Sequence, residues 1–149
     1  MKRLLFTLAT CCVMCACEQK TEMNPFFTEF QTEYGAPDFT KIRLEHYEPA
    51  FLKGIEVQNA EIKAIVDNPE EPTFENTIVA LDKSGGILAR VSGVFFALTE
   101  ADTNDSLTAL NEKMAPVLSE HSDNIYLNQD LYKRCLLYTS PSPRDLSTS

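Results

Sequence analysis

An all-α fold of antiparallel helices is what the sequence predicts, on three observations. Apolar residues recur every three or four positions through long stretches of residues 45–135. No hairpin signal separates those stretches. The connections between them are short, which sets neighbouring helices antiparallel.

Residues 1–16 read as a signal peptide. Lys2 and Arg3 form a basic start, and Leu4 to Met14 is an apolar run of eleven residues. A helix that spans a bilayer needs about 20, so the layout fits a secretory leader. Ala16 precedes Cys17, and polar Glu18-Gln19-Lys20 follows. This resembles a bacterial lipoprotein signal in which Cys17 is lipidated and becomes the first residue. Met14 and Cys15 stand where that pattern has a branched aliphatic and a small residue. Leu8-Ala9-Thr10-Cys11 competes with it but leaves a very short apolar run, and ordinary cleavage without lipid is the main alternative. The expected location is the cell envelope of a Gram-negative bacterium, lipid-anchored or periplasmic. Four of the five cysteines lie in or beside this segment. Only Cys135 is left in the body, so a mature chain with a lipidated Cys17 has no intramolecular disulfide.

Residues 17–43 are polar and interrupted by Pro25, Gly35 and Pro37. They read as an extended arm that docks through Phe26, Phe27 and Phe30. The helical region follows at 44–138. Its first helix is expected at about 45–67, with Tyr47, Phe51, Ile55, Ile62, Ile65 and Val66 on the apolar side. Pro49 is placed in the first turn, where a missing N–H costs little. Asn68-Pro69 stops it, because proline disfavours helix in the residue before it.

A second helix is expected to start at Thr73 as N-cap, with Glu75 in the first turn favoured by the helix dipole. Phe74, Ile78, Leu81, Leu88, Val91, Phe95 and Leu98 form its stripe. Gly85-Gly86 interrupts that stripe at a cost of about 1 kcal/mol per glycine. Either the helix bends there or another backbone packs close. Asn104 or Asp105 caps a third helix to about 122, carrying Leu107, Leu110, Met114, Val117, Leu118 and His121, with a kink expected at Pro116. Asn128 caps a fourth with Leu131, Tyr132 and Cys135. Residues 139–149 are rich in Ser, Thr and Pro, without an apolar period. They read as a natural disordered tail or as a truncated gene running into unrelated sequence, and the abrupt join favours the second.

Charge narrows the partners. The chain carries −9, and losing Lys2 and Arg3 with the signal makes it −11. No nucleic-acid role is expected, since phosphate binding needs clustered Lys and Arg.

Chemistry is sparse. Neither His46 nor His121 has a histidine four residues away, so the His-Glu-x-x-His zinc helix is absent. Ile42 breaks the inverted motif around Glu45-His46. The two histidines could meet in space, but a zinc site needs further ligands; capping or helix packing is the plainer role for both. Asp102-Thr103-Asn104-Asp105-Ser106 begins like a calcium loop, yet Leu107 replaces its glycine and Lys113 its final Glu, which leaves a helix cap. Ser84 lacks the strand-to-helix setting of a nucleophile elbow. Glu18, Glu22, Glu70 and Glu71 form no distinctive acid/base pair, and Cys135 reads as a small core residue. No catalytic or metal residue is assigned, and no cofactor is expected to bind this chain.

His46-Tyr47-Glu48-Pro49-Ala50-Phe51, Asn68-Pro69, Pro72-Thr73-Phe74-Glu75-Asn76-Thr77-Ile78 and Ser84-Gly85 together resemble the N-terminal region of bacterial peptidyl-dipeptidases. These belong to the thimet oligopeptidase family of zinc metallopeptidases. The similarity continues through Arg90-Val91, Thr103-Asn104-Asp105, Ala115-Pro116 and Leu127-Asn128, and spans roughly residues 24–135. The resemblance implies an all-helical protein with a deep channel, whose N-terminal helices wall that channel and limit access to short unfolded peptides. It implies zinc held by a downstream His-Glu-x-x-His helix and a further Glu, and removal of C-terminal dipeptides. None of those catalytic residues maps onto this sequence, so the parent is expected to be a zinc peptidyl-dipeptidase and this chain, by itself, inert. The rival expectation is a small lipid-anchored helical module that binds peptides or a protein; a structural envelope lipoprotein is a third.

Overall fold

The computed structural model describes residues 23–139. The segment 1–16 read as a signal peptide, the lipidation candidate Cys17, Glu18, Glu22 and residues 140–149 of the tail lie outside the described residues. Among the described residues every regular element is helical. Two short 3-10 turns, Pro25–Phe27 and Glu33–Gly35, precede α1 (Leu44–Val66). A π-helical stretch, Phe74–Val79, runs into α2 (Ala80–Lys83), followed by α3 (Gly86–Ala101), α4 (Asp105–Tyr126) and α5 (Gln129–Thr139). No helix among the described residues is long and apolar enough to cross a membrane.

Helix α1 is the spine. Its Tyr47, Ala50 and Phe51 meet Val91, Val94 and Phe95 of α3 and Leu107 and Met114 of α4 in the main core. Phe95 is the hub, with the rings of Tyr47 and Phe51 each 5.3 Å away and edge-on. Each fully buried phenylalanine contributes about 1.5–3 kcal/mol by leaving water. Phe26 is fully buried in the same core, its ring 5.2 Å from that of Tyr47. Two hydrogen bonds hold its backbone: Phe26 N donates to Asn24 Oδ1 at 3.1 Å and Arg90 Nη1 donates to the Phe26 carbonyl at 2.9 Å, while Asn24 Nδ2 donates to the His46 carbonyl at 2.7 Å. The arm therefore docks chiefly through one aromatic; Phe30 packs partly and Phe27 is 37% exposed. A smaller core of Ile62, Ile65 and Leu131 joins the far end of α1 to α5.

Several sequence expectations change. Helix α1 begins at Leu44, so Pro49 is its sixth residue, not a first-turn residue. Its ring leaves the Glu45 carbonyl without an intrahelical donor. The second helix is not one helix. Ser84 is extended (ψ 152°) and Gly85 left-handed (φ 76°), which breaks the chain between α2 and α3. The break resets the helical phase, so the 74–98 stripe does not share one face. Phe74 is 49% exposed and lies against Tyr138 at the surface.

Close backbone packing does occur, at Gly54. A Cβ there would stand 2.9 Å from both the Cα and the backbone N of Leu88. Helix α4 runs through Pro116 to Tyr126, with Val117 at the surface. Tyr132 of α5 is also exposed. The caps lie where the residue types place them. Thr73 Oγ1 accepts from Asn76 N and Asn76 Oδ1 from Thr73 N, Asn104 Oδ1 accepts from Ser106 and Leu107 N, and Asn128 Oδ1 accepts from Asp130 and Leu131 N.

Candidate functional site

An open groove of about 640 Å³ lies between α3 on one side and α4 and α5 on the other. Its walls are fixed because α3 and α4 both pack on α1. On α3 the wall is Leu88, Ser92 and Phe96, spaced by four residues and so on one face. On α4 it is Leu118, His121, Ser122, Ile125 and Tyr126, and α5 adds Leu131 and Tyr132. Asp82 is the one charged residue among those lining it.

A short polar chain crosses the groove floor. His121, 6% exposed, shares a 2.8 Å hydrogen bond between its Nε2 and Gln58 Oε1 of α1. An amide oxygen only accepts, so Nε2 carries the proton. Gln58 Nε2 donates to Ser84 Oγ at 3.3 Å, and Ser84 Oγ donates to the Leu81 carbonyl at 2.8 Å. Glu61 Oε2 accepts from the Gly85 amide at 2.7 Å. Burial holds the His121 pKa below its ordinary value, so the ring is neutral near pH 7.

Chemically this chain is a brace. An amide between histidine and serine cannot relay a proton, and the Ser84 hydroxyl spends its own on a carbonyl. No activated nucleophile results. What the brace does is hold the α2–α3 break against α1, one side chain on each residue of the break.

The remaining candidates are dispersed. His46 accepts from Arg43 N through Nδ1 at 3.1 Å, at the start of α1. Gln58, which meets His121, lies twelve residues later on the same helix, about 18 Å along its axis at 1.5 Å per residue. The two histidines therefore do not meet. Among the described residues no three His, Cys, Asp or Glu side chains gather where they could hold a metal. In the segment that begins like a calcium loop, Asn104 is the cap of α4. Cys135 is half-buried beside the small core.

Reading only the apolar stripe of α1 misses Gly54, Gln58 and Glu61. All three lie on that stripe's flank, three, seven and ten residues after Phe51. Arg134 was also unmarked. It is 8% exposed and donates to the carbonyls of Asn68 (2.7 Å) and Glu70 (3.2 Å) and to Asn76 Oδ1 (3.4 Å). It ties α5 to the loop that precedes α2.

No family model matches the chain. It is 48% identical over 114 residues to dipeptidyl carboxypeptidase of Escherichia coli (strain K12), covering 76% of this chain and 17% of that protein. The Salmonella typhimurium (strain LT2) dipeptidyl carboxypeptidase is 45% identical over 111 residues, covering 74% and 16%. Oligopeptidase A of Escherichia coli (strain K12) is 28% identical over 110 residues, covering 74% and 16%. The chain thus spans about a sixth of the length of the curated relatives it matches.

Proposed function

We propose, from the premise that this chain is a sequence relative of the dipeptidyl carboxypeptidases, that it supplies channel-wall helices of a zinc metallopeptidase that releases C-terminal dipeptides from short peptides. The observation that carries this reading is the 48% identity over 114 residues. The residues here do not fit zinc. His46 at the start of α1 and His121 of α4, which meets α1 at Gln58, are held apart, and no His-Glu-x-x-His occurs in the sequence. No catalytic step is therefore assigned to this chain. In the whole protein, zinc would polarise the scissile carbonyl and activate water, on residues other than these. The part played by α1, α3 and α4 is to form a rigid wall, through the core around Phe95 and the brace at Ser84.

The test is complementation. The 149-residue chain is mixed with the Escherichia coli dipeptidyl carboxypeptidase from which the aligning segment has been deleted. Dipeptide release with added zinc is expected from the mixture and from neither part alone. Zinc-dependent release by the chain alone refutes its inertness, and a mixture as silent as its parts refutes the wall reading.

The envelope location belongs to the same proposal. The leader at 1–16 is removed and Cys17 carries lipid, which adds about 0.8 kcal/mol of membrane affinity per buried CH₂. Mass spectrometry of the mature N-terminus decides it; an unmodified Cys17 or Glu18 start rules the anchor out.

A further inference from the structure

We infer that the groove between α3 and α4–α5 is the seat of an apolar helix belonging to the remaining part of the parent polypeptide. This deepens the proposed function and rests on it. Three observations meet here. First, α3 and α4 both pack on α1, and the groove has helical walls on both sides with Gln58 of α1 below. Adding a helix to such a groove completes a four-helix arrangement, with ridges of apolar side chains on each wall. Second, the rim is aromatic and wet. Tyr126 is 83% exposed, Tyr132 62% and Phe96 40%, and each also lines the groove. Large aromatics lose the most by staying in water and are the favoured anchors of interfaces. Third, the matched segment is about a sixth of each relative, so most of the polypeptide that such a wall would serve is available to fill it.

The chemistry of the occupant follows from the lining. Asp82 is the single charged residue there, and the floor polars are engaged with one another: His121 with Gln58, Gln58 with Ser84, Ser84 with Leu81. The occupant therefore presents an apolar stripe at spacing of three and four. A basic residue fits only at its edge, toward Asp82. A free peptide substrate would need backbone partners, which the braced floor does not offer, leaving Ser92, Ser122 and the rim tyrosines to supply them.

The test pairs two charge insertions on opposite faces. Tyr126→Glu with Tyr132→Glu changes only exposed rim positions of the groove. Leu52→Glu alters an exposed position of α1 that lines a separate hollow near Pro49. Circular dichroism and thermal unfolding first check that both variants keep the fold. Binding is then measured to the deleted Escherichia coli enzyme by light scattering after gel filtration. The inference expects the groove pair to weaken association at least tenfold and Leu52→Glu to leave it within about twofold. Unchanged binding by the groove pair overturns the inference while the proposed function stands. Absence of binding by the unaltered chain removes both. Self-association of the chain that disappears in the groove pair, or competition by a short peptide, assigns the groove to another occupant and also overturns it.

Discussion

Gly54 and Gly93 are both helix-interior glycines, yet alanine should act on them with opposite sign. In an open helix position Gly→Ala is worth about 1 kcal/mol in favour of folding. Gly93 in α3 is such a position, with nothing within 4 Å of an added Cβ. At Gly54 the same methyl would lie 2.9 Å from the Cα and backbone N of Leu88 and 3.0 Å from its Cβ. Carbon contacts settle at about 3.5–4.0 Å, so α1 and α3 would have to separate by roughly 0.5–1 Å. Two of these three atoms are backbone and the third is a Cβ fixed to it, so no rotamer change relieves them. The parting would also loosen Phe51, Val91 and Phe95, which lie on the same interface. Overpacking of this kind costs about 1–3 kcal/mol. With the rigid contact placing it in the upper half, the net is a loss of about 1–2 kcal/mol after the propensity gain. Urea unfolding followed by circular dichroism measures both variants, with an unchanged m-value as the check that only stability moved. Gly54→Ala should lower the midpoint and Gly93→Ala raise it. A Gly54→Ala protein as stable as the parent would refute the claim that backbone approach sets the α1–α3 distance.

Three further outcomes are expected. His121 has a folded pKa held down by burial, below the unfolded value of about 6.5. The unfolded chain therefore binds more protons in mild acid. The stability His121 gives is complete above about pH 6.5 and is lost as pH falls through the folded pKa. His121→Gln should flatten that part of the stability–pH curve, and an unaltered slope would count against it. Arg134→Met should cost about 2 kcal/mol through three lost charge-assisted hydrogen bonds. Arg134→Lys should recover less than half, since an ammonium cannot fork to several acceptors; hydrogen exchange at residues 68–76 reads the loosening. Phe26→Ala should cost about 3–5 kcal/mol and open residues 23–43 to proteolysis, whereas Phe27→Ala should do neither.

The helices were legible because their signals are local. Thr73, Asn104 and Asn128 are capping residues ahead of apolar stripes, and each is seen capping. The break at Ser84-Gly85 was half legible. Two glycines announced an interruption, but its form depends on Gln58 and Glu61, more than twenty residues away in sequence. The Gly54 approach was hidden for the same reason: a glycine on a helix is informative only when the opposing helix is known. Arg134 illustrates a third limit. Its burial depends on two loop carbonyls and the Asn76 side chain, which it meets only through folding. Whether the two histidines meet was not legible in sequence; the spacing along α1 from His46 to Gln58 is what keeps them apart. The groove was invisible, since its walls come from α3, α4 and α5, whose relative placement is set only by folding.

The Arg134 clamp also bears on the order of assembly. Its three bonds join positions 58 to 66 residues apart, while α1 and α3 pack within the preceding hundred residues. The core around Phe95 is complete without α5. The small cluster of Ile62, Ile65 and Leu131 is not. During synthesis the N-terminal part of the bundle can therefore close before α5 leaves the ribosome, and α5 docks afterwards as a separate event. On unfolding the sequence reverses: α5 and the 68–76 loop form the low-free-energy opening unit, released together while the α1–α3 pair still holds.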